Sequence, residues 1–313
     1  MPHWTPIIDR CHFTLTGTDR TRYLNGQVTN QVENLPADLA RYACVTDRKG
    51  RLEADLFITS WPDKQWLMLE SAKALQEDLF TRLDRYIIAD DAELTDVTGL
   101  WQTYHILTFP NEQSVIPKLP HHRATNSQRF GAPGIDITLP VKEAKAFLTT
   151  LTDTLGPASE PESFNQLRLQ HGIPRWGSEL TPGLLPPEAR LETRAIDYAK
   201  GCYTGQEVIS RIKSAGKVNR MLSLFTVDPT AQAIALGHEI ISTDETDPEP
   251  IGTITSLGQA PSNLGPDRGE RLALGYLKRH HAAAGEGQAF IARSTDGTCS
   301  SHLTLQTFPP QHS

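Results

Sequence analysis

No C-x-x-C pair occurs in this sequence, and its four cysteines, Cys11, Cys44, Cys202 and Cys299, lie far apart. That spacing writes neither a zinc ribbon nor a thioredoxin-type site. Four thiolates are enough for an iron–sulfur cluster, but these spacings match none of the usual ligand runs, and no metal site is expected. A reduced, cytoplasmic protein is the expectation. No stretch approaches the roughly 18 consecutive apolar residues of a spanning helix. The opening Met1-Pro-His-Trp-Thr-Pro6 has neither a basic n-region nor an apolar h-region, so no secretory signal is expected. Positive charge is not in excess either. With a formal net charge of −7, a nucleic-acid partner needs a local basic patch.

What is there describes an ordinary globular chain. Its 313 residues, 38% hydrophobic and 21% charged, leave room for two or three domains and a sizeable core. The first 60 residues read as helix and strand in alternation. Thr18 is placed to cap a short helix carrying Tyr23 and Leu24 and ending near Gly26. Arg41–Thr46 and Ala54–Thr59 read as strands around the turn Asp47-Arg-Lys-Gly50, and Gln65–Glu70 as the next strand. Leu75, Leu79, Leu83 and Tyr86 mark an amphipathic helix with Ser71 as N-cap. Ile87–Val97 and Thr103–Phe109 read as strands, and Asn111–Gly134 as loops. The adjacent His121 and His122 in that stretch read as solvated residues. Val141–Leu155 is a second amphipathic helix ended by Gly156-Pro157. Ser163 and Gln166 have capping-box spacing for a helix to His171, with Gly172 just past its end. The Pro-rich Gly177–Ala195 reads as loop.

The most informative stretch is Lys200-Gly-Cys-Tyr-Thr-Gly-Gln-Glu207. It reads as a glycine-bearing turn feeding a helix, with Thr204 and Glu207 as a capping box and Gly216 at the far end. Cys202 falls just ahead of the helix N-terminus, and Lys200 adds a cation two residues away. Both favour a thiolate. The competing reading is a small hydrophobe packed in a turn. After Met221 the pattern changes to short strands: Leu222–Val227, His238–Ser242, Ile251–Leu257, Leu272–Leu277, Ala289–Ala292 and Leu303–Phe308. The turn clusters Thr243–Pro250 and Ala260–Asp267 separate some of them, which predicts a small all-β barrel or sandwich.

Lys200–Glu207 resembles the signature of the YgfZ family, folate-binding relatives of the glycine-cleavage T-protein (aminomethyltransferase). Leu15-Thr-Gly17, Tyr23–Asn30 and Asp47–Gly50 resemble the first third of such chains, and Ile251–Ser256 with Leu274-Gly-Tyr276 their C-terminal barrel. The resemblance implies an α+β fold, a T-protein-like multi-domain arrangement. Two intertwined α+β subdomains over residues 1–220 would form a folate pocket, and 221–313 the β-barrel. It also implies tetrahydrofolate or another folate derivative as ligand, and a part in iron–sulfur protein maintenance and tRNA modification.

The same resemblance sorts the candidate residues. Cys202 and Lys200 are the reactive pair. Tyr203, Gln206, Arg211, Gln170 and Asp55 are candidates for the folate. Arg168-Leu-Gln-His-Gly172 resembles the T-protein segment whose glutamate is implied to hold the pterin, with Gln170 in its place. Where T-proteins carry two consecutive acids, this chain has Ala54-Asp55. General acid–base work needs a titratable group at the reacting atom, so both changes argue against ordinary T-protein catalysis. Two classes therefore stand: a folate-binding accessory factor in iron–sulfur protein assembly or repair, and a tetrahydrofolate-dependent one-carbon transferase. Arg211, Lys213, Lys217 and Arg220 form a basic run that suits a folate glutamate tail, with direct tRNA binding as a weaker use.

Overall fold

The computed structural model describes residues 4–108, 122–228, 234–243, 249–258 and 271–309. The chain begins with β1 (Trp4–Ile7), β2 (Arg10–Thr16), α1 (Arg20–Gln27), β3 (Arg41–Thr46), β4 (Leu52–Trp61) and β5 (Trp66–Ala72). It continues through α2 (Gln76–Asp84), β6 (Glu93–Asp96), β7 (Trp101–Leu107), β8 (Arg123–Ser127) and β9 (Gly134–Pro140). Four helices follow: α3 (Val141–Leu155), α4 (Pro161–Gln170), α5 (Glu192–Ala195) and α6 (Gln206–Ala215). The last part holds β10 (Arg220–Val227), β11 (Glu239–Ser242), β12 (Gly252–Leu257), β13 (Arg271–Lys278), α7 (Arg279–Ala282), β14 (Ala289–Arg293) and β15 (Ser300–Gln306).

Two antiparallel sheets and a barrel organise these elements. One sheet has the order β3-β4-β5-β2-β6, and the other β1-β7-β9-β8. The first packs on α1 and α2, because Leu75, Leu79 and Leu83 recur every four residues and meet Phe13, Leu56 and Leu69. The second packs on α3 through Phe147 and Leu151, which join Tyr104, Ile137 and Leu139. The six final strands close a barrel in the order β10-β13-β12-β11-β14-β15, with Phe225, Ile240, Phe290 and Leu303 filling its interior. Full closure leaves no open sheet edge. All six strands expected after Met221 are present, so the chain is α+β with a C-terminal β-barrel. The barrel is fastened to the body by polar contacts: Tyr276 Oη donates to the Glu179 carbonyl at 3.0 Å, and Arg168 Nη2 donates to Ser256 Oγ at 2.7 Å.

Two capping expectations fail because tertiary partners take the hydroxyls, and other local differences follow. Thr18 Oγ1 donates to Asp91 at 2.6 Å, and Asp19 is the N-cap position of α1. Ser71 lies in β5 and donates to the Asp55 carbonyl at 2.7 Å. Helix α4 starts two residues ahead of Ser163, at Pro161, whose fixed φ suits the first helical position. The strand expected over 87–97 contracts to Glu93–Asp96, and Ile88 is exposed. The expected loop over 111–134 contains β8, paired along β9. His121 and residues 109–121 lie outside the described residues, as do 244–248 and 259–270 of the two turn clusters. Within 177–195, Pro186 opens a short 3₁₀ turn and α5 follows.

The two sheets meet over buried charge. Arg129 Nη1 donates to Glu70 at 2.7 Å, and its Nη2 to Asp136 at 2.8 Å. Arg10 reaches the same Glu70 at 2.9 Å, and His105 Nδ1 lies 2.7 Å from Asp136. Thr103 Oγ1 donates to Glu70 at 2.8 Å, tying β7 to β5. Burial alone would raise Glu70, but Arg129 and Arg10 outweigh it and hold the carboxyl well below its ordinary range. Asp136 is lowered in the same way, with burial opposed by Arg129 and His105.

Candidate functional site

Three stretches distant in sequence converge beside β3: 25–30, 46–50 and 195–209. Gly205 is the N-cap position of α6, at φ +86°. A Cβ there would stand 2.5 Å from the Asp47 carbonyl and 2.9 Å from the Gly50 Cα. Gly50, at φ +70°, faces Val208 and Ile209 in turn. Both turns need glycine because each is the other's wall. Thr46 Oγ1 donates to the Thr204 carbonyl at 2.6 Å, and Thr204 N–H donates to the Gly26 carbonyl at 3.2 Å. Because Gly205 and not Thr204 is the N-cap position, α6 has no side-chain cap. Glu207 pairs with Arg211 at 2.7 Å, four residues on, and the expected capping box is absent.

Lys200 is buried, and its ammonium donates to the carbonyls of Asn25, Val28 and Asn30 at 2.7, 2.7 and 2.9 Å. Burial draws its pKa down to about 8, while Asp197 and Glu33 pull upward. Three facing carbonyls use all three of its protons, so the charge is held in place. This corrects the expected partnership with Cys202: Lys200 points inward, and Cys202 is exposed. The tip of the signature turn is thus a free thiol on a rigid base.

Tyr203 packs inward next to Lys200, whose Nζ lies 5.2 Å from its ring centroid. It is buried with Leu180, Ile196 and Ile209, and its hydroxyl has no hydrogen-bond partner among the described residues. Burial pushes that phenol far up, with Tyr198 and Cys44 adding to it. Cys44 links this corner to Asp55, its antiparallel partner in β4. Burial and then Asp55 push the Cys44 thiol far up, so it stays protonated and inert.

Asp55 is 5% exposed in the middle of β4. Tyr42 Oη donates to its Oδ2 at 3.1 Å, while Oδ1 is buried without a partner among the described residues. Burial, then Asp55, keeps Tyr42 a phenol. The Arg194 guanidinium lies 5.3 Å from the Tyr42 ring centroid and donates to the Gln128 carbonyl at 3.0 Å. Asn30 Nδ2 donates to the carbonyls of Tyr42 and Arg194, joining this cluster to the loop that Lys200 grips.

The other predicted residues lie on helices α4 and α6. Gln206 is half-buried at the first position of α6, and Arg211 is an exposed residue on the same helix. Gln170 is exposed at the end of α4. In the basic run, Arg211 pairs with Glu207, Lys213 stacks on Tyr198 at 3.7 Å, and Arg220 pairs with Glu188 at 3.1 Å. Tyr42, Arg194 and Asn30 were missed by sequence reasoning. A signal existed for the buried seam: Glu70, His105 and Asp136 interrupt apolar strands.

Residues 10–132 match the GCVT N-terminal domain family, a span that includes Asp55 and the Asp47–Gly50 turn. The tRNA-modifying protein YgfZ of Escherichia fergusonii is 28% identical over 224 residues, covering 67% of this chain and 68% of that protein. The protein of the same name from Escherichia coli strain SMS-3-5 is 27% identical over 229 residues, 68% of either chain. Among solved structures, glycine cleavage system aminomethyltransferase T from Bartonella henselae superposes with a TM-score of 0.80 at 18% identity. The match covers 99% of this chain and 87% of that one, and it establishes the fold.

Proposed function

We propose that this chain, which is similar to YgfZ proteins and has the aminomethyltransferase T fold, binds a folate and serves tRNA modification. The observation that carries the ligand is Asp55, a buried carboxylate whose only hydrogen bond among the described residues comes from a neutral phenol. A pterin edge presents adjacent amino and ring N–H donors, and a carboxylate with a free oxygen is their complement. The orphaned Tyr203 hydroxyl, near Cys44, offers a further polar group on the same side of β3. Arg194 supplies positive charge near the same carboxylate. Bound tetrahydrofolate would supply a carrier for one-carbon groups. The proposal assigns residues 1–220 to the folate-binding body and 221–313 to the barrel. Gln206 and Arg211 are assigned to the outer, tail end of the ligand, where Arg211 adds a positive field.

Lys200 acts by position. It clamps the 25–30 loop against the signature turn and so fixes Tyr203 and the exposed Cys202. Cys202 is the group that meets the client. Iron–sulfur protein assembly or repair is the finer part of this proposal. Cys11 and Cys44 are buried and Cys299 lies in the barrel, so Cys202 can contribute one ligand at most. In cells lacking the protein, Cys202→Ser should restore neither the modified tRNA nucleosides nor the activity of the client enzymes. The purified variant should fold and bind folate like the parent. Full restoration by Cys202→Ser would end the cysteine reading.

The retained Asp55 favours a second reading, a tetrahydrofolate-dependent aminomethyl or one-carbon transferase. Turnover of an aminomethyl donor with tetrahydrofolate, lost in Asp55→Asn, would favour the transferase. Binding without turnover would favour the accessory factor.

A further inference from the structure

Three of the five tryptophans meet at the tip of the β4–β5 hairpin. Trp61 and Trp66 are cross-strand partners, and Trp101 comes from β7 of the other sheet. Their ring centroids lie 5.1 Å apart for Trp61 and Trp101, and 6.1 Å for each of the other two pairs. The rings are inclined by 59°, 72° and 90°, as the walls of a box are. A 3₁₀ turn over Pro62–Lys64 and a left-handed Gln65, at φ +55°, bring Lys64 back over the hairpin. Its ammonium stands 5.3, 4.8 and 5.0 Å from the centroids of Trp61, Trp66 and Trp101. Each distance is within the range in which a ring face attracts a cation.

The occupant and the box are chemically mismatched. A primary ammonium carries three N–H donors and is strongly hydrated. Among the described residues, Lys64 has no hydrogen-bond acceptor and no carboxylate partner. The adjacent Asp63 is taken by Arg123, which also stacks on Trp61 at 5.1 Å. Lys64 is therefore held by ring faces, with no protein acceptor for its donors among the described residues. A cation without N–H groups loses nothing in such a place, because its charge is spread over methyl groups that pack directly on the rings. Trp61 is braced by its indole N–H, which donates to Thr59 Oγ1 at 3.1 Å. Trp66 and Trp101 are part-exposed, which leaves the box open to solvent.

We propose that Trp61, Trp66 and Trp101 form a binding site for a quaternary ammonium group, with Lys64 as its tethered, displaceable occupant. The site shares no residue with the Asp55 and Lys200 corner and does not depend on the folate reading. The group can come from a small free cation or from a trimethylated lysine on a protein, and the box itself recognises only the shared head.

The test is tryptophan fluorescence of the full chain, titrated at constant ionic strength with tetramethylammonium, choline and a trimethyl-lysine peptide. Ammonium and the unmethylated peptide are the comparators. The parent should respond weakly and saturably. Lys64→Ala should bind tetramethylammonium about tenfold more tightly, because an intramolecular competitor is gone. Trp101→Leu should lose the response, with Trp66→Leu as the substitute if the first does not fold. Tighter binding of choline than of the peptide would assign a small-molecule source, and the reverse order a protein source. No saturable response in a folded Lys64→Ala, or equal responses to ammonium and tetramethylammonium, would overturn the proposal.

Discussion

The buried seam between the two sheets and the corner built by the signature turn handle charge in opposite ways. In the seam, formal charges meet formal charges: Arg129 lies between Glu70 and Asp136, with Arg10 and His105 on the outside. In the corner, a buried ammonium and a buried carboxylate hydrogen-bond to neutral groups, with Arg194 adding positive charge near Asp55. Lys200 has three backbone carbonyls and Asp55 has one phenol. Opposite formal charges in contact cancel most of each other's field, and such an arrangement reads as structure. Charges held by neutral dipoles keep most of their field and remain available to a charged or strongly polar partner. Conserving net charge inside a fold is therefore compatible with both uses, and pairing distinguishes them.

The largest effect should come from breaking the seam. Arg129→Met leaves two carboxylates buried without their main counter-charge and should cost about 3–5 kcal/mol, read as a fall in the denaturant midpoint. Lys200→Met should cost less, about 2 kcal/mol, because it orphans three carbonyls without stranding a charge. An effect of Lys200→Met as large as that of Arg129→Met would break the contrast between the two regions. Gly205→Ala should cost about 1–3 kcal/mol through its left-handed backbone and the clash with the Asp47 carbonyl. Cys202→Ser should leave stability within about 0.5 kcal/mol of the parent, since the thiol is exposed.

Acid sharpens the same comparison. Glu70 and Asp136 have depressed values when folded, so the unfolded chain binds more protons at low pH. The stability they contribute is full above their ordinary values of 4.5 and 3.8 and is lost as pH falls below them. Equilibrium unfolding of the parent should therefore weaken steeply below that range. Arg129→Met should show a shallower slope.

Much of the architecture was legible in the sequence, and the reason is local. Helix α3 is written in the spacing of Ala144, Leu148, Leu151 and Leu155, although Phe147, outside that pattern, is also buried, and the barrel strands are written in short apolar runs cut by turns. The Asp47–Gly50 turn and the Lys200–Glu207 stretch could each be recognised, but not that they form one object. Only Gly205 lying against Asp47 and Gly50 reveals that. Side-chain direction was the least legible property. Lys200 stands two residues from Cys202, yet its ammonium reaches residues about 170 positions away in sequence. Gln170 was singled out by resemblance and is exposed, whereas Tyr42 and Arg194 drew no notice and adjoin Asp55. Thr18 and Ser71 had capping positions on paper and chose tertiary partners instead.

The most direct test of the central claim is calorimetric titration of tetrahydrofolate into the parent, Asp55→Asn and Gln170→Ala. The parent should bind. Asp55→Asn should bind at least about tenfold more weakly, through loss of a charge-assisted acceptor. Gln170→Ala should match the parent. No binding by the parent, or binding that ignores Asp55→Asn, would contradict the account.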